Sequence, residues 1–246
     1  MILSPATRID YPSSDGLPMA ASDFQRKPLI YAVQALTVYF QERPEVYVSG
    51  NLFIYYEEGN PQAVVAPDVF VALGVAPYDR PSYMLWREPK APDFVMEITS
   101  RSTRSDDQGA KRGIYAFLGV QEYWQYDPTG DYLVPPLQGL RLEGRNYQPL
   151  SATTLPDGTL SLHSRVLRLD LRLVHSQLRF YDPATGQPLL THQEAEQARR
   201  TTEARLSQET AARQAAEARI DELEARLQAL QNASPAPPTP PAETQS

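Results

Sequence analysis

The densest cluster of ionisable residues in an otherwise apolar setting lies in the run APDFVMEITSRSTRSDDQGAKRGIY, residues 91–115. Read as a strand, its first part points Asp93, Val95, Glu97 and Thr99 one way and Phe94, Met96 and Ile98 the other. Glu97 therefore falls mid-strand between Met96 and Ile98. A carboxylate there is costly to bury without a partner or an ion. One reading is a strand whose polar face meets water. The other draws on a second carboxylate, Asp68, which opens the strand-like run DVFVALGV, and on Lys111, which lies on a helix just beyond Glu97. Two carboxylates and a lysine at the rim of one sheet form a chemically sensible device. The hard oxygens of Asp68 and Glu97, with the backbone carbonyl of Ile98, could hold Mg²⁺ or Mn²⁺. Lys111 could then position or deprotonate a water and stabilise charge on a phosphate.

Other residues carry weaker signals. Asp107 stands four residues before Lys111, a spacing that makes a helical ion pair or orients the lysine. Tyr115, four residues after Lys111, is placed either to hydrogen-bond in the site or to pack in the core. Ser100, Ser102 and Thr103, with Arg101 and Arg104, form a polar loop that suits a helix N-cap or phosphate contacts. His163, His175 and His192 are scattered, without zinc-ligand spacing, and no nucleotide-binding glycine loop or Gly-x-Ser-x-Gly motif occurs.

The elements that must position these residues follow from periodicity. Leu29, Val33, Leu36 and Phe40 suit one face of a helix over LIYAVQALTVYFQER, with Pro28 near its first position. EVYVSGNLFIYY reads as one long or two short strands around Ser49-Gly50-Asn51, and DVFVALGV, SYMLWRE and DFVMEITS then follow as a meander. Lys111, Tyr115 and Leu118 share a helical face that Gly119 ends, and EYWQYDP is a strand closed by an Asp-Pro turn. From Asp131 to Leu190, short strands and turns predict a β-rich extension packed on the first half. The expected class is α/β or α+β, a mixed sheet with flanking helices.

At Thr191 the character changes to good helix formers through Asn232, which predicts one long helix. An a/d seam is convincing at Ile220, Leu223, Leu227 and Leu230, whereas Arg199, Glu209 and Arg213 occupy earlier seam positions, so a weak coiled coil and a solvated helix both fit. The expected organisation is an irregular segment 1–27, a core domain 28–190, the helix 191–232 and a disordered proline-rich tail 233–246.

Composition bounds the possibilities. The 246 residues include no cysteine, so disulfides and thiolate metal sites are excluded. No signal-like N-terminus or long apolar run is present, which predicts a soluble cytoplasmic protein with no membrane association. The net charge is −7, with 17 basic and 21 acidic residues through Thr191 and 6 and 9 beyond it. This acidity argues against non-specific coating of nucleic acid, because such binding relies on cationic side chains that displace counterions. It leaves open a metal-dependent nuclease, whose acidic cluster is neutralised by the ion.

The runs PDFVMEITSRST, DQGAK, Tyr115 and LGVQEYWQYDP, with VYVSGNLFIYYEEGNPQAVVAPDVFVALGV upstream, resemble the bacterial restriction endonucleases of the Uma-two family, a branch of the PD-(D/E)XK superfamily. The resemblance runs from about Pro28 through the Leu190 region and into the charged helix. It implies a restriction-endonuclease-like core, with Asp68 at the first acidic position and Glu97 at the (D/E) of the motif. Thr99 stands where the motif's lysine is expected, and the resemblance implies Lys111 as its replacement from the helix. Gln34 matches a position where relatives place a polar or acidic residue toward the site. The implied activity is Mg²⁺-dependent hydrolysis of DNA phosphodiester bonds. The competing reading is a catalytically inactive binding or scaffold protein that forms a homodimer through its C-terminal helix.

Overall fold

The computed structural model describes residues 9–13, 22–99 and 109–232. The polar loop 100–108, with Asp107, and the tail 233–246 lie outside the described residues. The chain divides into two compact units, 1–192 and 193–246.

The first helix, α1 (Asp23–Tyr39), starts five residues before Pro28, with Ser22 as its N-cap. The proline thus sits within the helix and not at its first position. An interior proline forfeits one backbone hydrogen bond and crowds the preceding turn, so it is best tolerated this near the N-terminus. Ala32, Ala35 and Leu36 form the buried stripe. Two short strands follow, β1 (Val46–Ser49) and β2 (Ile54–Tyr55), then β3 (Val64–Val65), β4 (Val69–Leu73), β5 (Tyr83–Met84) and β6 (Phe94–Ile98). Helix α2 (Ala110–Leu118) leads into β7 (Glu122–Tyr126), and Gly119 ends the helix at φ 78°, a left-handed conformation that glycine adopts without steric penalty.

A single meander is not what these strands make. β4 pairs directly with β6, while β5 runs parallel to β2 in a separate three-stranded sheet, β3-β2-β5. Strand-like composition marks that a segment pairs but leaves its partner open. The long β-rich half divides similarly. β8 (Leu137–Glu143) and β9 (Asn146–Pro149) extend the central sheet, giving the order β1-β4-β6-β7-β8-β9. β10 (Thr153–Thr154), β11 (Leu160–Ser164), β12 (Leu169–Val174) and β13 (Gln177–Tyr181) form a four-stranded sheet of their own. The fold is mixed α+β. Within the central sheet only β6 and β7 pair in parallel, and α2 lies in the connection between them.

The pleat of β6 sorts the core. Phe94, Met96 and Ile98 face one side and pack with α1 and with Leu162, Leu169, Leu171 and Phe180 of the four-stranded sheet. Val95 faces the other side, among Phe70, Tyr83, Tyr115 and Tyr123. The central sheet is thus covered on both faces. Glu122 ties it to the second sheet: its buried carboxylate accepts hydrogen bonds from Trp124 Nε1, Arg141 Nη2, Ser164 Oγ and the Arg165 amide.

The second unit holds α3 (His192–Asn232), 41 residues long. Its surface carries pairs such as Arg200–Glu196 and Arg213–Glu217, and Ile220, Leu223, Leu227 and Leu230 are 49–72% exposed. Among the described residues, no helix is long and apolar enough to cross a membrane.

Asp127 caps the turn after β7. Its carboxylate accepts from the amides of Thr129, Gly130, Tyr132 and Leu133 and from the Thr129 hydroxyl. Burial alone would raise this carboxyl, yet the donors, led by the Tyr132 amide, hold it below its ordinary value. The ionised form is therefore favoured by folding. Its contribution is complete above the unfolded-state value and is lost as pH falls through the lower folded-state value. We predict that Asp127→Asn costs about 2–3 kcal/mol at neutral pH. Below about pH 4 the wild type loses stability faster than the variant, and their urea midpoints converge.

Candidate functional site

The chemistry-bearing residues gather where β4 and β6 lie side by side and α2 covers them. Val69 pairs with Met96 in antiparallel register, so the next position outward sets Asp68 across from Glu97. Both belong to the face that carries Phe70, Val95 and Tyr115. Asp68 Oδ2 accepts the Ile98 amide at 2.7 Å, which locks the first carboxylate to the backbone beside the second. Close packing holds it from behind. A Cβ built on Gly50 would stand 2.3 Å from the Asp68 carbonyl oxygen, so only glycine lets the β1–β2 connection approach.

Glu97 is buried, 1% exposed, at the inner end of the cluster. Both its oxygens are engaged from α2: Lys111 Nζ donates to Oε2 at 2.9 Å, and the Tyr115 hydroxyl donates to Oε1 at 2.6 Å. The i,i+4 spacing puts these two side chains on one helical face. Burial first, and then the Glu97 charge, pushes the Tyr115 phenol well above its usual range, so it stays protonated and serves as a donor. The Lys111 side chain is 23% exposed, so the ion pair runs from the interior toward the surface.

The structure thus brings together Asp68, Glu97, Ile98, Lys111 and Tyr115. Thr99 joins them, 1% exposed, two residues beyond Glu97 on the same face. Gln34 stands apart. It is exposed on α1, whose buried side packs on the opposite face of the sheet. Asp93 lies at the other end of β6, where it accepts from the Leu73 amide, Lys90 and Gln121.

One residue in this corner escaped the sequence reading. Gln125, on β7, pairs in register with Glu97 and is 4% exposed. The alternation in EYWQY could have revealed it, because it separates Tyr123 and Gln125 from Glu122, Trp124 and Tyr126. Only the parallel pairing of β6 with β7, however, sets Gln125 beside Glu97.

The donors around the two carboxylates are oxygen and nitrogen atoms of hard character, and no cysteine exists in the chain. Among the described residues no group of three or more His, Cys, Asp or Glu side chains converges. Two carboxylates with main-chain and water oxygens suit Mg²⁺ or Mn²⁺, which retain several waters when protein-bound. A closed zinc cage would require more side-chain ligands.

A family model described as "Putative restriction endonuclease", Uma2, matches residues 4–174. The chain belongs to this family. The matched Uma2 span includes Asp68, Glu97 and Lys111, begins ahead of Pro28 and ends at Val174, short of β13 and α3. Membership places the protein among nucleases. A similar solved structure is "a putative nuclease belonging to DUF820" from Anabaena variabilis ATCC 29413, 14% identical, covering 57% of this chain and 75% of that one with a TM-score of 0.40. No curated protein matches the chain.

Tyr115→Phe isolates the buried end of the Uma2 site. The change removes a donor from a carboxylate oxygen held away from bulk water, and we predict a loss of about 1–3 kcal/mol in urea unfolding. An unchanged midpoint would mean that another group satisfies Glu97 Oε1 without Tyr115.

Proposed function

We propose that this Uma2 protein is a Mg²⁺- or Mn²⁺-dependent endonuclease that hydrolyses phosphodiester bonds of DNA. The observation that carries the reading is the buried Glu97 carboxylate, set across from Asp68 and engaged by a lysine that reaches toward the surface. Burying a carboxylate that only fills space is expensive. Its cost is understandable where it anchors a lysine and a second acid at one point. The family description names restriction, which is cleavage of DNA, and this favours DNA as the polymer.

Asp68, Glu97 and the Ile98 carbonyl would hold the cation, which when bound supplies Lewis-acid stabilisation of charge on the phosphate. The chain's own residues do the rest. Asp68 is fixed by the Ile98 amide and Glu97 by Tyr115 and Lys111, so little reorganisation is needed as the reaction proceeds. Lys111 holds the attacking water and sets its ammonium against the phosphate as negative charge builds there. The water oxygen bonds to phosphorus, the ester P–O bond breaks, and a proton passes to the departing oxygen. The products are a phosphate monoester and a hydroxyl end.

The test is a metal-dependent cleavage assay on duplex DNA, single-stranded DNA and RNA. Glu97→Gln and Lys111→Ala are expected to lose on the order of 100-fold or more in rate while remaining folded by circular dichroism. Cleavage by both variants at the wild-type rate would sink the assignment. Faster cleavage of RNA than DNA would move the substrate and retain the site.

We also infer a homodimer that pairs two copies of α3 through Ile220, Leu223, Leu227 and Leu230. These side chains are exposed at a/d spacing, and water contact with such a stripe is relieved by pairing. In light scattering of the full chain, Leu223→Glu with Leu227→Glu should halve the molar mass. An identical mass for wild type and variant would exclude this helix as the dimer contact.

A further inference from the structure

Two of the buried side-chain polar atoms without a hydrogen-bond partner among the described residues lie in the Glu97 corner: Thr99 Oγ1 and Gln125 Nε2. The other two, Arg172 Nε and Arg179 Nε, belong to guanidiniums whose Nη2 atoms are bonded, so those side chains are partly satisfied. Thr99 follows Glu97 by two residues and so shares its face of β6. Gln125 stands beside Glu97 on β7, and parallel neighbours in register point the same way. At 1% and 4% exposure, bulk water does not make up for the missing partners.

Leaving a buried hydroxyl and amide unpaired is unfavourable, and native interiors seldom do so twice within one small cluster. Elsewhere in this fold the same demands are met: Glu122, Asp93 and Asp127 each gather three or more donors. The unspent hydroxyl and amide beside the two acids point to an acceptor that arrives with the substrate. A neutral donor suits that task because it can stand empty without a counter-charge. The ammonium of Lys111, by contrast, sits against the Glu97 carboxylate as its counter-charge.

We infer that the Thr99 hydroxyl and the Gln125 amide form a two-donor cradle for a non-bridging oxygen of the scissile phosphate. The inference rests on the nuclease reading and deepens it. The pair adds uncharged donors to the charge that Lys111 sets against the phosphate. Bonds from these donors strengthen as charge accumulates on the phosphate oxygen, so they contribute more in the transition state than in the bound ground state.

The cradle makes an unusual demand on its variants. Gln125→Leu and Thr99→Val remove unsatisfied groups while keeping volume, so the melting temperature should hold steady or rise even as turnover falls. Each is expected to lower kcat on the order of 100-fold with little change in KM, and Thr99→Ser should recover most of the loss. With glutamine side chains labelled with ¹⁵N and the Gln125 resonance identified by its disappearance in Gln125→Leu, its NH₂ signal should shift when duplex DNA is added in EDTA. A fall in melting temperature without an amide shift would assign both residues to packing and overturn the cradle. So would a Gln125→Leu protein that cleaves normally while Glu97→Gln is dead, and the nuclease reading would then survive. If the wild type cleaves no nucleic acid, that reading falls by itself, and the amide shift alone upholds or removes the cradle.

Discussion

Burial of one carboxylate, Glu97, at the end of β6 organises this corner of the protein. An isolated ionised group there would be unfavourable by several kcal/mol, so the surrounding structure must supply donors in defined places. Tyr115 and Lys111 supply them from one face of α2, and their bonds at 2.6 and 2.9 Å fix the rotation of the helix over the sheet. With the helix fixed, the Lys111 side chain runs from Glu97 toward the surface. Asp68 is set by a separate constraint, the Ile98 amide, which belongs to the residue right after Glu97. The two acids are therefore referenced to the same stretch of backbone, and their separation depends little on loops.

The parallel joint between β6 and β7 is the topological device behind this arrangement. Parallel strands need a crossover between them, and here the crossover contains α2. A hairpin would have brought β7 back antiparallel, without a helix over Glu97. Antiparallel strands on both sides of the joint build out a sheet wide enough to be covered on one face by α1 and the second sheet, and on the other by α2 and the β3-β2-β5 strands. The candidate site lies at the joint, where a helix face, two parallel strand ends and an antiparallel neighbour meet.

How much of this was legible in the chain follows from which interactions are local. The Lys111 and Tyr115 spacing lies within one helix, and the placement of Glu97 among Met96 and Ile98 lies within one strand, so both were readable from periodicity. Gly119 at the end of α2 and the Asp127 turn are likewise local. Pairing partners are not. SYMLWRE has strand composition, yet nothing in it says that Tyr83 and Met84 will run parallel to Ile54 and Tyr55 and not lie between β4 and β6. Asp131 onward was readable as strands but not as two sheets, since β9 and β10 are assigned to different sheets only by what they pair with. Gln125 remained hidden for the same reason: an exposed-looking polar residue in a strand gains its meaning from a partner 28 positions earlier in the chain.

The buried acids of this fold differ in how fully the polar groups around them are paired. Glu122 and Asp93 are as deeply buried as Glu97, and a count of buried charges would rank the three together. Their surroundings differ. Glu122 is saturated by an indole, a hydroxyl, a main-chain amide and a guanidinium, and through them it staples two sheets. Asp93 is similarly closed by an amide, a lysine and a glutamine. Around Glu97, by contrast, hydrogen-bonding capacity goes unused on Thr99 and Gln125, and a second acid stands alongside. A saturated network has finished its work when the chain has folded. One that keeps spare donors beside two acids gains from a further ligand, and this asymmetry, more than burial or charge, sets Glu97 apart from the other buried acids in the sheet.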